Sequence, residues 1–302
     1  MSRVTTRRWP EGLLLVAAVA VSVAVVVFPM WKSAIDRSGQ QQEPAEPFRI
    51  AGNLYYVGTN AVTSFLLTGP AGHVLIAGGR PGTHSLIIAS IATLGFDIRD
   101  VKVLLNSEPH GDLAGGLKAL QEASGAELWV SEGDADVIAA GGAGGAFLGP
   151  FSFVSYFPLL RYPAPRVDHR FTDGATIRVG PVALTAHVTP GCTSWSFPVR
   201  DGDRELLVVR ICSLMPPPAL YLGEYPEMRA DFERGFRTLR SLPADIFLTA
   251  YGREFGRYRK FLERAKAKNP ADPFIDRDGY LRYIDSAEEK FREVIGDRQR
   301  RP

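Results

Sequence analysis

The stretch Val103–Gly116, VLLNSEPHGDLAGG, decides how the chain is read. A mainly apolar run, Val101–Leu105, leads into a polar turn and then into a helix opened by glycines. Strand ends of this kind are where α/β proteins place their chemistry. The turn carries Glu108, His110 and Asp112 at alternate positions, so three residue types that ligate metals fall within five residues.

Outward from this turn the chain forms two series of strands and helices. Before it, Leu54–Val57, Thr63–Thr68 and His73–Ala77 are short β-rich runs separated by turn signals such as Gly69-Pro70-Ala71-Gly72. A helix with Ile87, Ile88, Ile91 and Leu94 on one stripe follows, closed by Gly95. Beyond the turn, a helix over Leu117–Ser124 precedes a strand over Glu127–Ser131. The second series predicts strands at Thr176–Val179, Val182–His187, Trp195–Arg200 and Glu205–Ile211, with Asp201-Gly202-Asp203 as a hairpin turn. Helix Ala230–Leu242, strand Asp245–Thr249 and a basic helix Arg257–Lys268 come next. Ser286 and Glu289 have capping-box spacing before a last helix that Gly296 ends. Strands then helices, twice over, predict an α+β protein with sheet packed on sheet and helices outside.

Between the series, residues 139–165 are irregular and carry Phe151, Phe153, Tyr156 and Phe157. This segment reads equally as a lid or binding edge and as a hydrophobic plug for the sheet.

A length of 302 residues allows one large domain with a sizeable core. The net charge of +2 gives no nucleic-acid footprint. Two cysteines are too few for a disulfide scaffold. A hairpin centred on Gly202 has Cys192 ten residues before it and Cys212 ten after, opposed across the strands. A disulfide between them is expected ahead of a soft-metal site.

Arg3, Arg7 and Arg8 precede an uncharged apolar run over residues 12–28. A helix continued to Met30 or Trp31 would span about 30 Å, enough to cross a bilayer core. The arginines predict a cytoplasmic N-terminus and a body facing the periplasm or cell exterior. The expected layout is a stub and membrane anchor over 1–35, a flexible linker over 36–47 and a folded domain over 48–302. Cleavage of the run as a signal peptide is the rival reading, and would make the protein secreted.

Taken whole, Pro47 to about Gly296 resembles the metallo-β-lactamases, most of all the third subclass of class B. The resemblance rests on Gly52-Asn53-Leu54-Tyr55-Tyr56-Val57-Gly58, on His73-Val74-Leu75-Ile76-Ala77-Gly78-Gly79 and on Leu184–Trp195. Pro273-Phe274-Ile275-Asp276 followed by Gly279 adds to it. It implies an αββα sandwich. In the family, six side chains hold two zinc ions that ionise a bridging water for attack on an amide carbonyl.

The family motif is N-S-H-x-H-x-D-H-A-G-G. Here Glu108 stands at its first His, His110 and Asp112 are retained, and Leu113 replaces its last His. The family's T-P-G-H-T-P-G-S-T-S-W is four residues shorter here, with Cys192 in place of its His or its later Ser. Tyr251 replaces a further His, Ala77 the Asp of L-I-D-G-G, and Cys212 the Asp of A-D-S-L. Ala244 and Tyr280 replace two cysteines that relatives often join.

The resemblance with these departures implies a pseudoenzyme with no resident metal, keeping its pocket for an unidentified small molecule. A residual hydrolase of the β-lactamase type is the alternative, with one zinc ion on Glu108, His110, Asp112 and Cys192 and with Asp112 catalytic. A third reading is a periplasmic interaction module working through the aromatic run.

Overall fold

Alternation along Val182–Thr189 buries Val182, Leu184 and Ala186 and leaves the residues between them partly exposed. That period of two marks a strand with one face on a core. Val101–Leu105 instead buries every residue but Lys102, as a parallel strand covered on both faces does. The chain assembles these two kinds of strand into two sheets.

The computed structural model describes residues 42–144, 161–189, 192–214 and 227–299. The first sheet comprises β1 (Phe48–Ala51), β2 (Leu54–Tyr56), β3 (Phe65–Leu67), β4 (His73–Ile76), β5 (Val101–Leu105), β6 (Glu127–Ser131) and β7 (His169–Phe171), in that order. It is antiparallel up to β4 and parallel from β4 to β7. The second sheet runs β12 (Ile246–Leu248), β11 (Arg204–Arg210), β10 (Cys192–Asp201), β9 (Val182–Thr189), β8 (Thr176–Val179). Its helices are α1 (His84–Thr93), α2 (Gly111–Ala114), α3 (Leu117–Ser124), α4 (Ala135–Ala139), α5 (Met228–Ser241), α6 (Arg257–Arg264) and α7 (Arg277–Gln299), among the described residues.

One apolar cluster joins inward residues of both sheets, including Phe65, Ile76, Leu105, Trp195 and Val208, to Phe232, Phe236 and Phe291 of α5 and α7. A second covers the outer face of the first sheet with Ile87 and Ile91 of α1 and Leu117 and Leu120 of α3. Helix, sheet, sheet, helix is the expected αββα sandwich.

Several local expectations change. Strands β1 and β7 had no clear sequence signal, being short and each interrupted by an arginine. The last helix starts at Arg277, so Ser286 and Glu289 lie inside it, and Gly296 does not end it. Its start is capped by Asp276, whose Oδ1 accepts from the Gly279 amide (2.9 Å). The basic helix stops at Arg264 rather than Lys268. The β10–β11 hairpin pairs Asp201 with Arg204, so its centre falls between Gly202 and Asp203 and not on Gly202. The apolar run over 12–28 and the aromatics Phe151–Phe157 lie outside the described residues. Among the described residues no helix is long and apolar enough to cross a membrane.

Candidate functional site at the end of β5

Strand β5 delivers Asn106 and Ser107 to a buried turn. The Asn106 amide group donates to the Glu108 carbonyl (2.6 Å) and so closes the turn. Ser107 ties it to β10: its carbonyl accepts from the Thr193 amide (2.6 Å), and its hydroxyl accepts from the Trp195 indole (3.2 Å). The turn that carries the chemistry-bearing residues is thereby clamped between the two sheets.

The glycines after it serve close packing. A Cβ on Gly116 would stand 2.3 Å from the Gly78 carbonyl oxygen, so only glycine lets the chain pass there. In return the Gly78 amide donates to the Leu113 carbonyl (2.7 Å) and the Gly116 amide to the Gly79 carbonyl (3.1 Å). These backbone bonds hold the β4 turn against the motif.

Glu108 is 3% exposed. Its Oε2 accepts a hydrogen bond from His110 Nδ1 (3.0 Å). Burial pulls the His110 pKa down, but that hydrogen bond and the charges of Glu108, Asp112 and Asp134 outweigh it and hold the imidazole above its ordinary value. Asp112 accepts from the Tyr251 hydroxyl (2.5 Å). Burial first, then the Asp112 charge, push the Tyr251 phenol far up, so it stays a neutral donor. The structure therefore pairs Glu108 with His110 and Asp112 with Tyr251, so that each candidate ligand is engaged with protein.

Leu113 is fully buried and packs with Val62, Ala77 and Ala250, with Tyr251 at the edge. Three of these five, Ala77, Leu113 and Tyr251, stand where the resembled family has polar residues. Together the five form one small apolar cluster. Ala77 keeps a backbone φ of 69°, in the left-handed region that Asp or Asn tolerates better than Ala. Its amide donates to the Leu105 carbonyl (2.9 Å), which ties this residue to the end of β5.

Cys192 and Cys212 form a disulfide with a Cα separation of 6.0 Å. The expected bond exists although the expected register does not: with Trp195 opposite Arg210, Cys192 falls opposite residue 213. The bond removes the Cys192 sulfur from the candidate ligands. Among the described residues, no three His, Cys, Asp or Glu side chains converge closely enough to hold an ion. With one donor oxidised, one replaced by leucine and the others hydrogen-bonded to protein, the residues present do not fit the zinc pair that the resemblance implies.

Around this turn lie groups the sequence reading did not single out. Asp134, after β6, accepts from the Ser131 hydroxyl (2.8 Å). Burial, reinforced by the Glu108 charge, pushes its pKa up to about 6. The Tyr162 hydroxyl donates to the Pro109 carbonyl (2.9 Å). Arg210, the last residue of β11, is fully buried. A charged residue inside the apolar run Leu206–Ile211 was the available signal.

The family model of the metallo-beta-lactamase superfamily matches residues 57–209. Rm3 metallo-beta-lactamase is similar at 35% identity, with 86% of this chain and 97% of that one covered and a TM-score of 0.79. FEZ-1 from Legionella gormanii is 32% identical over 86% and 98% of the two chains, with a TM-score of 0.80. BJP-1, a subclass B3 enzyme of Bradyrhizobium japonicum, is 28% identical over 86% and 97%, with a TM-score of 0.75. Sandwich, motif and these likenesses agree, and the chain belongs to the metallo-beta-lactamase superfamily.

Proposed function

We propose that this protein is a membrane-anchored pseudoenzyme of the superfamily, which binds a small molecule in the remnant pocket instead of hydrolysing one with zinc. The observation that carries the reading is the fate of the ligand positions. Glu108 and His110 bond to each other, Asp112 bonds to Tyr251, and Leu113 closes an apolar cluster with Ala77. Zinc affinity comes from several convergent nitrogen, sulfur or carboxylate donors, and activity from the water they share. Neither is supplied by donors already spent on one another. The basic residues before the apolar run support the anchor and the outward-facing domain.

Metal analysis of protein purified without chelator, with a β-lactam hydrolysis assay, tests the reading. Less than a tenth of a zinc ion per chain and no hydrolysis above buffer are expected. One zinc ion per chain with hydrolysis abolished by Asp112→Ala would establish a mononuclear hydrolase instead.

A further inference from the structure

Arg210 has none of its surface in contact with solvent. All three nitrogens of its guanidinium are buried and find no hydrogen-bond partner. An uncompensated buried charge costs several kcal/mol, so a balancing field must come from nearby groups.

The register locates those groups. Arg210 pairs with Trp195 on β10 and with Leu248 on β12. Cross-strand partners project from the same face of a sheet. Trp195 reaches Ser107, the residue before Glu108. Leu248 lies three residues before Tyr251, the partner of Asp112. Arg210 thus ends its strand between the two segments that carry former ligand positions.

The charges it feels agree with that placement. Burial pulls its pKa down to about 10, and Glu108, Tyr283, Glu254 and Tyr251 act on it in the opposite sense. Glu254 is itself held by a hydrogen bond from the Tyr283 hydroxyl (3.1 Å). The acids whose charge reaches Arg210 are Glu108 from the motif turn and Glu254 from the turn after β12, neither of them hydrogen-bonded to its guanidinium. It remains a cation at neutral pH.

We infer that Arg210 is a resident cation that stands in for the metal charge, balancing Glu108 and Glu254 beneath the dismantled site. The inference rests on the reading that the site holds no zinc. It gives the carboxylate buried at position 108 a permanently charged counterpart in addition to its hydrogen bond with His110. A zinc-binding ancestor has its positive charge delivered from solution; this chain carries it on a strand end. A divalent ion entering the site would meet that charge as well as the occupied donors.

A double-mutant cycle on the full-length protein tests it, read by urea unfolding at pH 7. Arg210→Met keeps side-chain length and removes the charge. It should lower the folded-to-unfolded ratio ~100-fold or more, the usual scale for breaking a buried charge pair. Adding Glu108→Gln should recover at least ~10-fold of that loss, because the two charges are coupled. An unchanged or raised stability of Arg210→Met would mean that the guanidinium is an uncompensated burden, and would overturn the inference. So would a further loss on adding Glu108→Gln. If Arg210→Met does not fold, Glu108→Gln in the wild-type background decides. A loss there of ~10-fold or more that persists when position 210 is Lys, a cation of different shape, supports the balance of charge, and no loss overturns it. Zinc content separates this result from the pseudoenzyme reading: tight zinc in the wild type defeats that reading whatever the cycle gives.

Discussion

The Tyr251 hydroxyl donates a 2.5 Å hydrogen bond to Asp112 Oδ2 across 139 residues of chain. The two sit on different sheets' strand ends, so the contact fastens the β12 turn to the motif helix. A neutral phenol bonded to a carboxylate is worth about 1.5–3 kcal/mol when partly buried. Tyr251→Phe should therefore destabilise the protein by about 1–2 kcal/mol, read as a lower urea midpoint with unchanged m-value. Asp112→Asn, which keeps an acceptor, should cost less. Equal stability of Tyr251→Phe and wild type would show that the contact contributes nothing.

Restoring histidines tests whether the second zinc position is merely missing its donors. Leu113 is fully buried against Val62, Ala77 and Ala250. A His there loses the packing of a leucine and places a polar ring without a partner among apolar side chains. Leu113→His should cost about 2–4 kcal/mol, and the pair Leu113→His with Tyr251→His should gain no hydrolysis. Zinc should raise the melting temperature of the pair by less than ~2 °C, because Glu108 and His110 remain bonded to each other. A large zinc-dependent rise would show that the donors alone were lacking.

The sandwich was legible because the motif turn and the segments around it keep the family's pattern, whereas a period of two shows only in strands such as β8 and β9. Gly116 could not have drifted without a clash against Gly78, and the spacing survived with it. The hairpin register was misread by one residue because Asp201-Gly202-Asp203 fits a turn centred on Gly202 as well as the two-residue loop that forms. Ala77, Leu113 and Tyr251 were each visible as departures from a motif. Their joining into one apolar cluster depends on tertiary contacts between β3, β4, α2 and the β12 turn, which no local pattern encodes. Arg210 was overlooked although it interrupts the apolar run Leu206–Ile211, because an arginine in a strand is ordinarily at an exposed face.

Asp134 makes a prediction about pH. Its carboxyl has a folded value of about 6, raised by burial from an ordinary 3.8. A group raised on folding contributes stability that is full below the unfolded value and lost as pH rises through the folded one. Asp134→Asn removes that loss while keeping an acceptor for the Ser131 hydroxyl. The variant should match wild type near pH 4 and exceed it by about 1–2 kcal/mol at pH 8, the figure being discounted for partial exposure. A difference that stayed flat from pH 4 to 8 would mean that the carboxyl is not penalised in the native state.

The Cys192–Cys212 bond closes a loop with a sequence separation of 20. Loop-closure entropy alone gives about 3 kcal/mol for a loop of that size. The loop is already closed by the β10–β11 hairpin in the native state, so the bond acts chiefly on the unfolded chain. Reduction should lower the unfolding free energy by about that amount, and Cys192→Ser with Cys212→Ser should reproduce it without reductant. The local consequence is separable. Thr193 and Trp195, which follow Cys192 on β10, carry the two bonds that hold Ser107 in the motif turn. Freeing the start of β10 should therefore speed amide exchange at residues 107–113 more than in β8, on the far edge of the same sheet. Uniform exchange across both segments would place the bond's effect wholly in the unfolded state and leave the motif turn indifferent to its oxidation.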